Sequence, residues 1–174
     1  SKTVLELRKV DKSFGLIDAL HDINLSIREG EVLCLLGDNG AGKSTLIKIL
    51  AGVYAPTRGE IFMDGQPISF KNPKAAQDMG IACVHQFGGT FPLMSISRTF
   101  FAGVEPSKGW GPFKIFDSAK ANEITVREVS NFGITQIDDG NRMVGGLSGG
   151  ERQSLVIARA VYFGARVLIL DEPT

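Results

Sequence analysis

The stretch GDNGAGKST, Gly37–Thr45, constrains the fold more than any other part of this 174-residue chain. It fits G-x-x-x-x-G-K-[ST] at Gly37, Gly42, Lys43 and Ser44. It stands between an apolar run, VLCLL (Val32–Leu36), and a helical pattern, TLIKILAG, closed by Gly52. Glycines here let the backbone wrap so that successive N–H groups point at phosphate oxygens, at a helix N-terminus that already favours anions. Lys43 is then expected to reach the β- and γ-phosphates of a nucleotide, and the Ser44 hydroxyl to ligate Mg²⁺.

Two further runs, IACV (Ile81–Val84) and VLIL (Val167–Leu170), are as continuously apolar as VLCLL. Strands without alternation have both faces covered, as in a parallel sheet flanked by helices. VLELRKV and INLSI near the start alternate instead and predict an antiparallel hairpin. Between the runs, Asp117 is placed to cap a helix ending at Gly133, with Ala121, Ile124, Val129 and Phe132 near one face. Another helix is expected to start after Ser148 and to end before Gly164.

The segment Gly88–Phe116 is rich in proline and glycine and carries Phe91, Phe100, Phe101, Trp110, Phe113 and Phe116. It is too long for a structureless loop and reads as part of an inserted subdomain. Its aromatics form either that subdomain's own core or an exposed apolar patch for a partner.

VLIL runs into Asp171 and Glu172. A strand parallel to the one feeding the phosphate loop delivers such acids to the phosphates. Asp171 is read as a residue of the Mg²⁺ shell and Glu172 as the general base that deprotonates an attacking water. LSGGERQ, Leu147–Gln153, is a capping box in which Ser148 caps the helix and Glu151 reaches back to it. The glycines Gly149 and Gly150 cost helix stability, yet they bare backbone N–H groups to an anion. This makes a second phosphate-binding helix end.

Charge and composition exclude little else. Nineteen basic and nineteen acidic residues cancel, which removes the electrostatic case for general nucleic-acid binding. Cys34 and Cys83 sit in apolar runs and read as buried thiols in a reducing compartment. No stretch has the length of a membrane span, and the start SKTVLELRK is no signal peptide.

Taken together, these motifs resemble the nucleotide-binding domain of ATP-binding-cassette (ABC) transporters. GDNGAGKST is similar to the family's Walker A, LSGGE to its signature and VLILDE to its Walker B with the catalytic glutamate. The resemblance implies an α/β fold: a P-loop NTPase core with a parallel sheet flanked by helices, an N-terminal antiparallel β subdomain and an inserted helical subdomain. It implies one incomplete ATPase domain, residues 1–86 and 149–174 forming the core and about 87–148 the helical subdomain. ATP would be held by Gly37, Asp38, Asn39, Gly40, Ala41, Gly42, Lys43, Ser44 and Thr45, with Phe14 in KSFG stacking on adenine. Gln86 in VHQF matches the glutamine that contacts Mg²⁺ and senses the γ-phosphate, so it joins Glu172 among the catalytic residues and Ser44 and Asp171 among the metal ligands.

The family also implies partners. Two cassettes pair head to tail, as a homodimer or with a second cassette, so that Ser148, Gly149, Gly150 and Glu151 serve the neighbour's ATP. Membrane-spanning permease subunits dock on the helical subdomain, and a solute-binding protein acts through them. GDNGAGKST, FKNPKAAQDMGI and VEPSKGWGPFKIFD are most similar to ATPases of bacterial carbohydrate importers. The expectation is an importer ATPase on the cytoplasmic face of the membrane, coupling ATP hydrolysis to uptake of a sugar or similar solute. A non-transport ABC ATPase and an ATP-binding fragment without turnover stay open as alternatives. Phe87-Gly88-Gly89 and Arg98-Thr99 depart from the family pattern on the permease-facing side. The family's D-loop and switch histidine would follow Thr174, and neither His21 nor His85 stands at the switch position. The chain is therefore expected to be the N-terminal part of a longer ATPase.

Overall fold

Residues Thr3–Phe14 (β1) and Ile17–Arg28 (β2) form the hairpin that the alternating segments predict, closed by Gly15 and Leu16. The computed structural model describes residues 2–38, 40–85, 92–110, 115–134 and 136–171, with the backbone alone at 85 and 171. β1 also pairs antiparallel with β3 (Arg58–Met63), and β3 with β4 (Gln66–Ile68), giving the sheet order β2-β1-β3-β4. The register of β1 against β2 slips between Leu7 and Val10, where Lys9 takes φ 49° and its N–H donates to Asn24 Oδ1 at 2.9 Å. This bulge inserts one residue, so that Leu5 and Leu7 are followed inward by Val10 rather than Lys9.

The chain divides into two compact units, Ser1–Cys83 with Ala165–Ile169, and Val84–Gly164 with Leu170–Thr174. In the first, α1 (Lys43–Leu50) and α2 (Pro73–Asp78) join the sheet around a core of Leu5, Leu7, Val10, Ile49, Leu50, Ile61, Ala76, Ile81 and Val167. The apolar runs and motifs do not predict α2, although Asn72-Pro73 is a start signal: Asn72 Oδ1 accepts from Ala75 N–H at 2.9 Å, and proline occupies the first position. β5 (Ile81–His85) pairs with β8 (Val167–Asp171), and the N–H groups of Arg166 and Val167 both reach the Gly80 carbonyl, so the two strands start together and run parallel. IACV and VLIL are thus strands, as expected.

VLCLL is not. Residues 31–38 form no strand, and Val32 and Leu36 are 90% and 91% exposed. Hydropathy states where an apolar run gains by going, but a strand forms only where neighbours supply a ladder and cover both faces. Among the described residues no strand pairs with this run. Cys34 is accordingly exposed rather than buried; Cys83 is half-buried, and neither is in a disulfide.

Asp64 and Gly65 close the β3–β4 hairpin with φ 51° and 78°, as an Asp-Gly turn does. The Asp64 carboxylate accepts two hydrogen bonds from Arg166, at 2.7 and 2.9 Å, and lies 2.9 Å from Lys2 Nζ. The Arg166 hydrogen bonds first, and Lys2 second, hold its carboxyl far below the ordinary value of 3.8. A carboxylate whose pKa is depressed on folding adds stability that is present above its unfolded value and lost as pH falls through the folded one. Asn tolerates the same turn conformation. The melting temperature of Asp64→Asn is therefore expected to lie below the unsubstituted protein's by a constant gap at neutral pH, and the gap should close as pH drops below about 4. A gap that persists unchanged at pH 2.5 would refute this account.

The second unit holds α3 (Ile96–Phe100), α4 (Ser118–Asn131) and α5 (Gly149–Tyr162), with a two-residue ladder between β6 (Ser107–Lys108) and β7 (Ile115–Phe116). Ile96, Phe100, Phe101, Ala121, Val129, Leu147, Leu155 and Ala158 form its core. Asp117 caps α4 as the sequence predicts, accepting from Lys120 N–H at 3.2 Å. Ala121 and Val129 are buried and Ile124 is partly so, while Phe132 is exposed just past the helix end. The aromatics of the insert split between the two readings: Phe100 and Phe101 are core, Phe116 packs against it, and Trp110 is 88% exposed. Phe91 and Phe113 lie outside the described residues.

Candidate functional site

α1 begins where an ordinary helix would have a capping side chain and has none: Gly42 takes φ 85°, and no side chain accepts from the first turn. The orphan N–H groups of that turn and the positive end of the helix dipole are left for an anion. Gly37 and Gly40 also have positive φ, 157° and 89°, and the Ala41 N–H donates to the Asp38 carbonyl at 3.1 Å, which curls the loop. Lys43 Nζ donates to the Gly37 carbonyl oxygen and approaches that of Asp38 at 3.4 Å, so the ammonium lies on the loop it belongs to. Among the described residues the Ser44 hydroxyl makes no hydrogen bond and the residue is exposed, which leaves its oxygen available to Mg²⁺ beside phosphate. Thr45 follows it in the first turn. Asn39 lies outside the described residues.

Gly42 is required twice over. A Cβ there would stand 2.6 Å from both the Ala19 carbonyl oxygen and Leu20 Cδ2, and the left-handed conformation alone costs an L-residue about 1–2 kcal/mol. Gly42→Ala is expected to destabilise the first unit by about 2–3 kcal/mol in chemical denaturation, by strain together with the displacement of β2. A loss under about 0.5 kcal/mol would mean that the loop relaxes freely.

Phe14 ends β1, 42% exposed, with the Tyr54 ring edge-on at 5.2 Å. Lys12 Nζ lies 5.0 Å from the Phe14 ring and donates to the Ala55 carbonyl at 2.8 Å; Lys48 Nζ lies 5.7 Å from Tyr54. No motif in the sequence assigns a role to Tyr54 or Lys12. An aromatic just before Ala55-Pro56, shortly after the α1 pattern, was the available signal for Tyr54, whereas nothing local marks Lys12. The group presents a half-exposed ring braced on its edge and two cations, which suits stacking of a flat base near phosphate.

The strand ends are placed by the β5–β8 pairing. Because the two strands are parallel neighbours, their C-terminal residues, His85 and Asp171, come to the same edge of that sheet. Gln86 and Glu172 follow them in the chain and lie outside the described residues, as does the side chain of Asp171. His21 is on the surface, 3.6 Å from an Asp11 carboxylate oxygen.

In the second unit the capping box at α5 is complete. Ser148 Oγ accepts from Glu151 N–H at 3.3 Å, and the Glu151 carboxylate accepts from Ser148 N–H at 2.7 Å. The Ser148 N–H first, and its hydroxyl second, hold the Glu151 carboxyl below the usual carboxylate range. A Cβ added to Gly149 or Gly150 would meet nothing within 4 Å, so these glycines leave a bare, open helix end. Glu151 is committed to the cap; Ser148 N–H and Oγ are engaged with it.

No helix among the described residues is long and apolar enough to cross a membrane. Residues 20–174 match the family model described as ABC transporter. The chain is 44% identical over its whole length to the ribose import ATP-binding protein RbsA 1 of Streptomyces coelicolor, of which it spans 34%. It is 40% identical over 98% of its length to the xylose/arabinose import ATP-binding protein XylG of Sulfolobus acidocaldarius, spanning 66% of that protein. The structure of cbiO1 from Clostridium perfringens, described as part of the ABC transporter complex cbiONQ, is similar over all of this chain and 67% of its own, at 28% identity and a TM-score of 0.78. The chain thus spans between a third and two thirds of the length of these relatives. With 155 of its 174 residues in the matched region, this chain belongs to the ABC transporter family.

Proposed function

We propose that this chain is the nucleotide-handling part of an ABC importer ATPase that couples ATP hydrolysis to uptake of a sugar or similar solute. The observation that carries it is the uncapped start of α1, where left-handed glycines expose backbone N–H groups beside Lys43 and Ser44. Names of sugar import ATP-binding proteins among the relatives support the solute class.

In this reading Gly37, Asp38, Asn39, Gly40, Ala41, Gly42, Lys43, Ser44 and Thr45 surround the phosphates, and Phe14 stacks on adenine with Tyr54 bracing it. Mg²⁺, held by Ser44, Gln86 and Asp171, supplies charge neutralisation at the phosphates. Glu172 takes the proton of the attacking water, and Gln86 reports the state of the γ-phosphate. Ser148, Gly149, Gly150 and Glu151 form a helix end for the nucleotide of a second cassette, in a homodimer or a paired chain. Within the part of the cassette that this chain spans, residues 1–86 and 149–174 form the core and about 87–148 the helical subdomain. The protein lies on the cytoplasmic face of the membrane, bound to permease subunits that receive solute from a binding protein.

Affinity purification of the full-length protein from gently solubilised membranes, followed by a Mg-ATP hydrolysis assay, tests this. Recovery of a multi-span membrane protein in defined stoichiometry, with ATP turnover, is the expected result. Turnover in a protein that never associates with membranes would replace the transport reading by a non-transport one.

A further inference from the structure

Arg159 in the last turn of α5 serves two helices at once. Its Nε donates to the Phe100 carbonyl and one terminal nitrogen to the Ala102 carbonyl, both at 2.8 Å. Those carbonyls end α3, where a helix leaves acceptors without intrahelical partners and where its dipole favours a cation. The same guanidinium lies 5.5 Å over the Phe163 ring. Burial holds its pKa below the ordinary value, and no carboxylate pairs with it among the described residues. Around it, Phe100 and Phe101 of the α3 end each meet both Tyr162 and Phe163 of the α5 end, with ring centroids 5.4–6.1 Å apart. A charged group half-withdrawn from water whose hydrogen bonds, among the described residues, go to two main-chain oxygens and to no carboxylate is a costly way to fill space. It is, however, a geometrically exacting joint, because the planar fork fixes direction as well as distance.

We infer that Arg159 is a positioning residue: it locks α5 to the end of α3 and so sets where the Ser148–Gly150 helix end points. Resting on the proposed role of that end as a nucleotide contact, the inference adds the element that aims it. Arg159 lies eleven residues after Ser148, roughly 16 Å along the helix, so a tilt of only about 5° at the joint moves the far end by about 1.4 Å. Displacements of about 1 Å at a reacting centre cost about 10²-fold in rate. Lys cannot reproduce the fork: one ammonium reaches one carbonyl well or both poorly.

The test is a double-mutant cycle on the full-length protein, reading kcat and KM for Mg-ATP in Ser148→Ala, Arg159→Lys and the pair. Arg159→Lys is expected to lower kcat about 10- to 100-fold with KM changed less than about threefold. In the Ser148→Ala background it should cost almost nothing further, because the contact it aims is already gone. Effects that multiply, or a kcat unchanged by Arg159→Lys, overturn the inference while leaving the nucleotide reading intact. A Ser148→Ala protein with normal kcat overturns both. If Arg159→Lys does not fold, Phe163→Leu, which removes the ring beneath the guanidinium together with its contacts to Phe100, Phe101 and Tyr162, runs the same cycle. A loss of about threefold that vanishes without Ser148 upholds the joint, and an unchanged or additive result overturns it.

Discussion

Lys43→Ala is expected to weaken Mg-ATP binding by about 10²-fold or more. Removing one member of a desolvated charge pair costs about 2–5 kcal/mol, much of it the penalty of leaving phosphate charge unanswered. The Lys43 ammonium rests on the carbonyls of Gly37 and Asp38, an exposed contact. Such a contact contributes at most about 1 kcal/mol to folding, so the variant should melt close to the unsubstituted protein while its affinity collapses. That separation is the point of the experiment, read by titration calorimetry beside a thermal melt. An affinity within threefold of normal would remove the phosphate assignment from the Gly37–Thr45 loop.

Glu172→Gln in the full-length protein is expected to keep Mg-ATP affinity and to lose about 10²–10⁴ in hydrolysis rate. Glutamine keeps the size and hydrogen-bonding reach of the side chain but cannot take a proton from water. The placement of β8 beside β5 motivates the choice, since β8 ends at Asp171 on the sheet edge where β5 also ends, and Glu172 is the next residue in the sequence. Single-turnover hydrolysis and nucleotide binding, measured on the same preparation, separate the two effects. A near-normal rate would move the general base to another residue.

Gly42→Ala and Asp64→Asn probe the frame beneath these residues, and the contrast between them marks what could be read from sequence. The need for glycine at 42 is visible in the motif, because the spacing to Lys43 and Ser44 leaves no other chemistry for it. The capture of Asp64 by Arg166 is not, because the two are 102 residues apart and only the approach of the β3–β4 turn to the start of β8 joins them. The same holds for Lys12 and Tyr54 beside Phe14, and for Arg159 on the carbonyls of α3: each is ordinary in its own stretch of sequence.

Local rules carried far where the partner was near in the chain. The Ser148–Glu151 box, the Asp117 cap and the β1–β2 hairpin involve residues a few positions apart or joined by a short turn, so propensity and spacing suffice. VLCLL shows the opposite case, since its apolarity is plain and yet the run makes no strand. The chain by itself determined the helix starts, the hairpin and the phosphate loop, because short-range sterics and hydrogen bonding decide them. Only the tertiary structure decided which apolar runs become strands, which aromatics are covered and which distant charges meet, because burial and ladder pairing are properties of neighbours that no local stretch contains.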